Sequence, residues 1–282
     1  MTKAVHFQTA DGSRFLGRAE GDTIVTAGPA PAAGFVPAPE NWAAIETAAG
    51  PRHRVADVAL LAPVSPSKIL AVGLNYQSHV EETSLKRPDV PFMFPKLPSS
   101  VVGPHDDIVI PREETRPDYE GELAVVISRK AYRVAVEDAW NYVGGYTVVN
   151  DVSGRRAQLE TPMKQFSLGK SFDTFTPMGD GIVHPDSLPD KREVRVRTTL
   201  SGELMQDGNT RQLIFSVPEL IEYFTRGVTL LPGDVIATGT PGGVGDERTP
   251  PRYLRDGDLV EVEIDGVGRI ANPVRFEAGT ES

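Results

Sequence analysis

The feature that most constrains the fold is a series of short segments rich in valine and isoleucine. Each is bounded by glycine, proline, aspartate or asparagine; examples are KILAVGLNY from Lys68, ELAVVIS from Glu122, YTVVND from Tyr146 and DLVEVEID from Asp258. β-Branched residues favour strands, and the bounding residues favour turns. The pattern predicts a strand-rich α+β fold rather than a doubly wound parallel sheet.

Helical spacing of apolar residues is found in fewer places. It occurs in AVEDAWNYV after Arg133 and in SVPELIEYFTRG after Phe215, where Ser216 and Glu219 have the spacing of a capping box. A capping box predicts the first turn of a helix. We therefore expect two main helices among many strands.

The N-terminal part of the chain has a different composition. AGPAPAAGFVPAPENW is rich in proline, alanine and glycine and is typical of an extended connector. The pattern of strands becomes regular after it. We therefore expect a small N-terminal domain at residues 1–63 and a larger domain at residues 64–282.

Charge and composition exclude several classes of protein. The chain has 29 lysines and arginines against 39 aspartates and glutamates, a net charge of −10, which disfavours binding to nucleic acid. No window is apolar enough to span a membrane or to act as a signal peptide, so we expect a cytoplasmic protein that does not enter membranes. The absence of cysteine excludes disulfides, thiolate metal sites and cysteine nucleophiles.

Three carboxylates form the main candidate site. Glu120 and Glu122 are two residues apart at the start of a predicted strand, and Asp151 follows another predicted strand. Side chains at i and i+2 share one face of a strand, where two carboxylates repel each other unless a cation compensates them. Without such a cation, Glu120 and Glu122 would be solvated acids at a strand edge.

A site made of these three carboxylates would have only oxygen ligands. Such a site suits Mg²⁺, Mn²⁺ or Ca²⁺ better than zinc or copper. Three protein oxygens would leave part of an octahedral ion open to water or substrate, which favours catalysis over a structural role.

A second candidate pair lies in VGLNYQSHVEE. His79 and Glu82 would share a face if this segment forms one helical turn, and the carboxylate would then orient the imidazole as a base. The alternative is a histidine on a polar surface loop.

Lys170 is either a donor to a substrate carboxylate or a surface lysine. ATGTPGGVG from Ala237 is either an anion-binding loop or a simple tight turn, and it matches neither the P-loop nor the dinucleotide pattern.

Taken together and in order, seven segments resemble the fumarylacetoacetate hydrolase family over roughly residues 68 to 274. They are VGLNYQSHVEE, KLPSSVVGP, DYEGELAVVI, GYTVVNDVSGRRAQ, GKSFDTFTPMG, LPGDVIATGTPGGVG and LRDGDLVEVEIDGVGRIANPV. The resemblance implies a mixed β-roll or β-sandwich domain, a homodimer, and a Mg²⁺ or Mn²⁺ cofactor, with Ca²⁺ able to replace it in crystals.

The resemblance also assigns roles to residues. It implies that a water-activating dyad is carried on a mobile lid, which we expect at residues 80–90, and that the substrate is a small 2-oxo acid. The implied metal ligands are Glu120, Glu122 and Asp151. The implied catalytic residues are the dyad His79 and Glu82 together with Lys170 near the oxo-acid end of the substrate, and the implied substrate-binding residues are Gln158 and Thr240.

The activity expected from this set is hydrolysis of a carbon–carbon bond in a 2,4-dioxo acid, such as an acylpyruvate, a fumarylacetoacetate-like acid or a diketo sugar acid. His79 would deprotonate water, and the metal would stabilise the enolate of the leaving 2-oxo acid. The alternative is an oxaloacetate decarboxylase or tautomerase, or a hydroxymuconate-type isomerase or decarboxylase, using the same enolate without water attack. A third possibility is a binding protein with a closed calcium site.

Overall fold

The structure, a computed structural model, describes residues 1–83, 85–188 and 193–278. It is dominated by short strands, as the valine- and isoleucine-rich segments predict. In chain order the strands are β1 Lys3–Gln8, β2 Arg14–Glu20, β3 Thr23–Pro29, β4 Arg52–Arg54, β5 Ala59–Leu60, β6 Ile69–Gly73, β7 Phe92–Lys96, β8 Val101–Val102, β9 Ile108–Ile110, β10 Pro117–Asp118, β11 Gly121–Ile127, β12 Val143–Asn150, β13 Ser153–Gly154, β14 Thr176–Pro177, β15 Ile182–Val183, β16 Arg195–Leu200, β17 Glu203–Asn209, β18 Val235–Ala237, β19 Leu259–Ile264 and β20 Gly268–Phe276.

The α-helices of the described residues are short. They are α1 Pro39–Glu46, α2 Gln77–Thr83, α3 Phe166–Gly169 and α4 Val217–Thr225. At the start of α4, the Ser216 amide and hydroxyl both donate to Glu219 Oε2, at 2.7 and 2.6 Å, so the capping box is confirmed. None of the described helices has the length and apolar character needed to cross a bilayer.

One helix prediction needs correction. The segment after Arg133 folds as a 3₁₀ helix, Val136–Tyr142, instead of an α-helix. It has no side-chain cap, and of its seven residues only Ala139 is buried. Trp140 and Tyr142 of the segment are partly buried against the main core, and short 3₁₀ segments of this kind are common as connectors between larger elements.

Two mixed sheets form the body of the molecule. The larger has the order β4-β3-β2-β1-β15-β12-β11-β18-β6-β7, with β5 beside β1, and the smaller has the order β17-β16-β19-β20-β9. Most neighbours are antiparallel, whereas β18 and β6, and also β20 and β9, are parallel. Side chains of both sheets meet in one core, which includes Val125 and Val148 of the larger sheet and Val196, Val262 and Ile270 of the smaller. The predicted strand-rich fold with mixed sheets packed as a sandwich is confirmed.

The central pair of strands explains where the functional residues lie. Every residue of β11 and of β12 is buried, as expected for near-continuous apolar runs in the middle of a large sheet.

The N-terminal strands join the same sheet, because Lys3 and Ala4 of β1 pair with Val183 and Ile182 of β15. The domain boundary between residues 63 and 64 stays a prediction.

Candidate metal centre and active site

The three predicted carboxylates meet where β11 begins and β12 ends. These strands are antiparallel with Gly121 opposite Asn150, so the residues just outside the pair, Glu120 and Asp151, are also neighbours. The Asp151 amide donates to the Glu120 carbonyl at 2.8 Å. One carboxylate oxygen from each of Glu120, Glu122 and Asp151 lies within 4.8 Å of the others, and all three residues are buried.

Buried cations surround this carboxylate cluster. Lys170 Nζ donates to Glu120 Oε2 at 2.7 Å and to Asp151 Oδ2 at 3.0 Å. Lys96 Nζ donates to the other oxygen of Asp151 at 2.6 Å and also to the carbonyl of Lys170. Arg155 Nη2 lies 2.7 Å from Glu120 Oε1. Glu120 and Asp151 are therefore each held by two cations.

Glu122 is different, because no cation bonds to it in the described structure. Its Oε2 accepts a hydrogen bond from the Gly239 amide at 2.8 Å. Burial, followed by repulsion from Asp151 and Glu120, raises the pKa of Glu122 well above its ordinary value. Burial also acts to raise the pKa of Glu120, but attraction to Lys170 and Arg155 outweighs it and holds that pKa below its ordinary value.

The balance of buried charges at this centre indicates whether a divalent cation would fit there. Four buried carboxylates lie together, because Asp118, bonded to Arg155 at 2.7 Å, joins the three of the cluster. Three buried cations, Lys96, Lys170 and Arg155, oppose them. One negative charge is left over, and Glu122 is the one of the four carboxylates to which no cation bonds in the described structure. A divalent cation held by three carboxylate oxygens fits this deficit and reverses its sign, which prepares the site for an anionic ligand.

A cavity of about 130 Å³ opens beside the cluster. Several predicted site residues contribute to its wall, namely His79, Glu120, Gln158, Lys170 and Thr240. Glu122, Asp151 and Glu82 are not among the described lining residues, but each neighbours one of them: Glu122 lies beside Glu120, Asp151 bonds to Lys170, and Glu82 bonds to His79. The fold therefore brings the predicted site residues of five separate chain segments into one place.

His79 and Glu82 both lie on α2, where the predicted helical turn places them on one face. His79 Nδ1 is 2.6 Å from Glu82 Oε1. The other oxygen of Glu82 accepts from the Gly243 amide at 2.6 Å, and Ser78 Oγ accepts from the Gly242 amide at 3.0 Å. The glycine-rich loop thus holds the helix and fixes the carboxylate that orients the imidazole. Of the predicted lid at residues 80–90, residue 84 lies outside the described residues, and the mobility of the lid stays a prediction.

The glycine-rich loop follows β18 and approaches the cluster closely. Gly239 has a φ of +103°, and a Cβ at that position would lie 2.8 Å from Asn75 Cβ, so only glycine fits. Thr240 Oγ1 donates to the Gly121 carbonyl at 3.0 Å and accepts from Gln206 Nε2 at 2.7 Å. The Thr240 hydroxyl is therefore engaged with protein groups, and its predicted contact with substrate would be an additional one.

Sequence reasoning gave no role to two cations that belong to this centre. Lys96 ends β7, and its side chain is fully buried against Asp151. Arg155 bridges Asp118 and Glu120 and also donates to Gln158 Oε1 at 3.1 Å. A single basic residue after a strand gives no local signal, because the acids it pairs with lie far away in the chain.

Comparison with known proteins identifies the family. Residues 68–275 match the family model described as fumarylacetoacetate (FAA) hydrolase, C-terminal. The chain is 46% identical over 219 residues to the mitochondrial oxaloacetate tautomerase fahd2 of Xenopus laevis, covering 77% of this chain and 69% of that protein. It is 45% identical over 228 residues to the oxaloacetate tautomerase YisK of Bacillus subtilis, covering 79% of this chain and 75% of that protein.

A solved structure agrees with these sequence matches. The crystal structure of 5-carboxymethyl-2-hydroxymuconate delta-isomerase from Mycobacterium smegmatis is 33% identical, with a TM-score of 0.81, covering 98% of this chain and 100% of that chain. The fold and the site define a member of a family of enzymes with a buried acidic centre that suits a divalent metal. The chain belongs to the fumarylacetoacetate hydrolase family. The relatives' names favour the tautomerase or isomerase alternative over the hydrolase that the residues first indicated.

Proposed function

We propose that this chain is a metal-dependent enzyme that catalyses keto–enol tautomerisation or isomerisation of a small 2-oxo acid. The observation that carries the proposal is the oriented His79–Glu82 pair, 2.6 Å apart, with His79 lining the same cavity as Glu120 of the carboxylate cluster. A proton-transfer group and a centre for an enolate are thereby placed together. The names of the relatives, two oxaloacetate tautomerases and a hydroxymuconate isomerase, support the same class of reaction.

Glu120, Glu122 and Asp151 would hold the divalent cation, for which Mg²⁺ and Mn²⁺ are the candidates. When bound, the ion supplies Lewis-acid stabilisation of negative charge on the oxygen at C2. Lys170 keeps Glu120 and Asp151 in place, because its Nζ bonds to both. Its positive charge would also attract the carboxylate of an incoming 2-oxo acid, and Gln158 would contribute an amide at the same wall.

His79 would move the proton. Its Nδ1 is engaged by Glu82, which leaves Nε2 as the nitrogen available to the cavity. In the keto-to-enol direction, Nε2 takes a proton from C3, the C–H electron pair forms the C2–C3 double bond, and the carbonyl π pair moves to the C2 oxygen. That oxygen then takes the proton from the imidazolium, which regenerates neutral His79. The Glu82 carboxylate stabilises the imidazolium during the transfer. The reverse sequence gives the keto acid.

Hydrolysis of a carbon–carbon bond in a 2,4-dioxo acid is the second candidate, because the same His79–Glu82 pair could deprotonate a water molecule. It ranks below tautomerisation because the relatives from Xenopus laevis and Bacillus subtilis both carry tautomerase names. A homodimer and a cytoplasmic location stay predictions.

The test measures exchange of the C3 protons of pyruvate in D₂O by proton NMR, with metal-loaded and EDTA-treated protein. We expect metal-dependent exchange that falls roughly 10²- to 10⁴-fold in His79→Ala, the usual contribution of a general base. His105→Ala is the matched control, since His105 is exposed and does not line the cavity. Release of pyruvate from an acylpyruvate, without exchange on simple 2-oxo acids, would reject tautomerisation in favour of hydrolysis.

A further inference from the structure

The cavity has two chemically different ends. Its buried end carries polar side chains, among them His79, Glu120 and Lys170. Its mouth carries large apolar side chains, with Leu85 58% exposed and Phe92 38% exposed. In the proposed function the buried end takes the 2-oxo-acid head, so the mouth must face the rest of the substrate.

A preformed aromatic wall runs from the buried end of the cavity to its mouth. The rings of Phe92 and Phe166 meet edge to face with their centroids 5.4 Å apart, and Phe94 lies 6.4 Å from Phe166 and 6.1 Å from Phe92. Phe92 also sits directly on Gly73, where an added Cβ would come within 2.7 Å of the ring. Edge-to-face contacts of this kind stabilise a fixed arrangement. The wall is therefore in place before any substrate arrives.

The charges near the mouth are acidic. Asp246 and Glu247 line the cavity; Asp246 is paired with Arg116 at 2.5 Å, whereas burial together with the neighbouring Asp246 and Glu82 raises the pKa of Glu247. The cationic side chains among the described lining residues are Lys170 and Arg155, and each is already bonded to carboxylates of the buried centre. A second carboxylate on the substrate would find the apolar wall and the Glu247 carboxyl, and both cationic side chains of the described lining are engaged by the acids of the centre.

We propose that the substrate is a monocarboxylic 2-oxo acid with an apolar tail, of the size of an aromatic ring or a branched alkyl group, which packs against Phe92, Phe94 and Phe166. This inference rests on the proposed function, because it takes the 2-oxo-acid head as given. On this proposal the chain does not prefer dicarboxylic acids such as oxaloacetate, which is the substrate in the names of two relatives.

The test uses oxamates, which resemble 2-oxo acids but have no C3 proton to exchange. N-Phenyloxamate carries an apolar tail, N-oxalylglycine carries a second carboxylate, and oxamate carries neither. Their dissociation constants are measured by titration calorimetry on the Mn²⁺-loaded protein. We expect N-phenyloxamate to bind at least about 10-fold more tightly than oxamate, the discrimination that apolar contacts provide, and N-oxalylglycine to bind no more tightly than oxamate.

Substitutions of Phe92 test whether the aromatic wall causes the preference for N-phenyloxamate. Phe92→Ala should remove most of the advantage of N-phenyloxamate, and Phe92→Leu should retain part of it, while oxamate binding stays unchanged in both. Leu168→Ala is the matched control, because Leu168 lies on the same helix as Phe166, is 51% exposed and does not line the cavity. Binding of N-oxalylglycine that is tighter than that of oxamate, or an unchanged preference for N-phenyloxamate in Phe92→Ala, overturns the proposal.

An error in the assigned apolar tail and an error in the proposed function would give different experimental results. If the tail assignment is wrong, metal-dependent C3 exchange on pyruvate, which has no tail, persists while N-phenyloxamate shows no advantage. If the proposed function is wrong, exchange is absent for pyruvate and phenylpyruvate alike, whatever the order of the three oxamates.

Discussion

Replacing Glu122 by glutamine should separate stability from metal binding. The substitution keeps the shape of the side chain and an oxygen that can accept the Gly239 amide, which lies 2.8 Å from Oε2. It removes one negative charge from a cluster of three carboxylates. In the metal-free protein this charge is the one that lacks a bonded cation, so its removal relieves repulsion without breaking an ion pair.

The magnitude follows from the geometry. At 4.8 Å, the limit on the separation of the ligand oxygens, a pair of like charges is unfavourable by roughly 3.5 kcal/mol at an effective dielectric constant of about 20. Glu122 takes part in two such pairs, with Glu120 and Asp151. Proton uptake by the Glu122 carboxyl and the attraction of Lys170 both reduce this repulsion. We therefore expect the free energy of unfolding of metal-free Glu122→Gln to equal that of wild type or to exceed it by about 1 kcal/mol or more.

Metal should stabilise wild type but not Glu122→Gln. A ligand at 100 times its dissociation constant stabilises the native state by about 2.7 kcal/mol. For a chain of this size that is an increase in Tm of roughly 5 °C or more. We expect this increase with Mg²⁺ or Mn²⁺ in wild type and its loss in Glu122→Gln, together with loss of activity.

The assay is thermal unfolding, with and without EDTA and across a metal titration. Glu203→Gln is the control, because it removes one charge from an exposed position on β17. A Glu122→Gln protein that is less stable than wild type without metal, yet keeps the full metal-dependent increase in Tm, would refute the electrostatic reasoning and remove Glu122 from the ligand set.

Three further predictions concern other parts of the chain. Lys96→Met should reduce the free energy of unfolding by about 3–5 kcal/mol in denaturant titrations, because it leaves a buried carboxylate short of a partner; a loss below 1 kcal/mol would contradict this. Residues 80–90 should gain hydrogen-exchange protection when oxalate binds to the metal-loaded protein, and equal protection in both states would count against a lid. Burial lowers the pKa of His6 in the folded state, so stability should fall as the pH drops below 6.5, the ordinary histidine value, and His6→Gln should show a weaker decline in pH-dependent unfolding.

The sequence alone determined the strand-rich architecture and the carboxylate cluster. Period-two alternation puts Glu120 and Glu122 on one face, and Asp151 directly follows an apolar run, so the acids could be identified without coordinates. The pair His79 and Glu82 was equally accessible, because three residues of spacing on a helix place both on one face. In each case the signal lies within a few residues of chain, where backbone geometry alone sets the relation between side chains.

Only the tertiary structure decided which groups neutralise these acids and which face the substrate tail. Lys96 meets Asp151 across 55 residues, and Arg155 meets Asp118 across 37, separations at which no periodicity operates. The aromatic wall joins Phe92 of β7 to Phe166 of α3 in the same way. Such contacts depend on strand order and helix placement, which are set by the burial of charge and of apolar area over the whole chain. These ion pairs and ring contacts are therefore properties of the packed fold. The carboxylates that they neutralise can be recognised in the linear sequence.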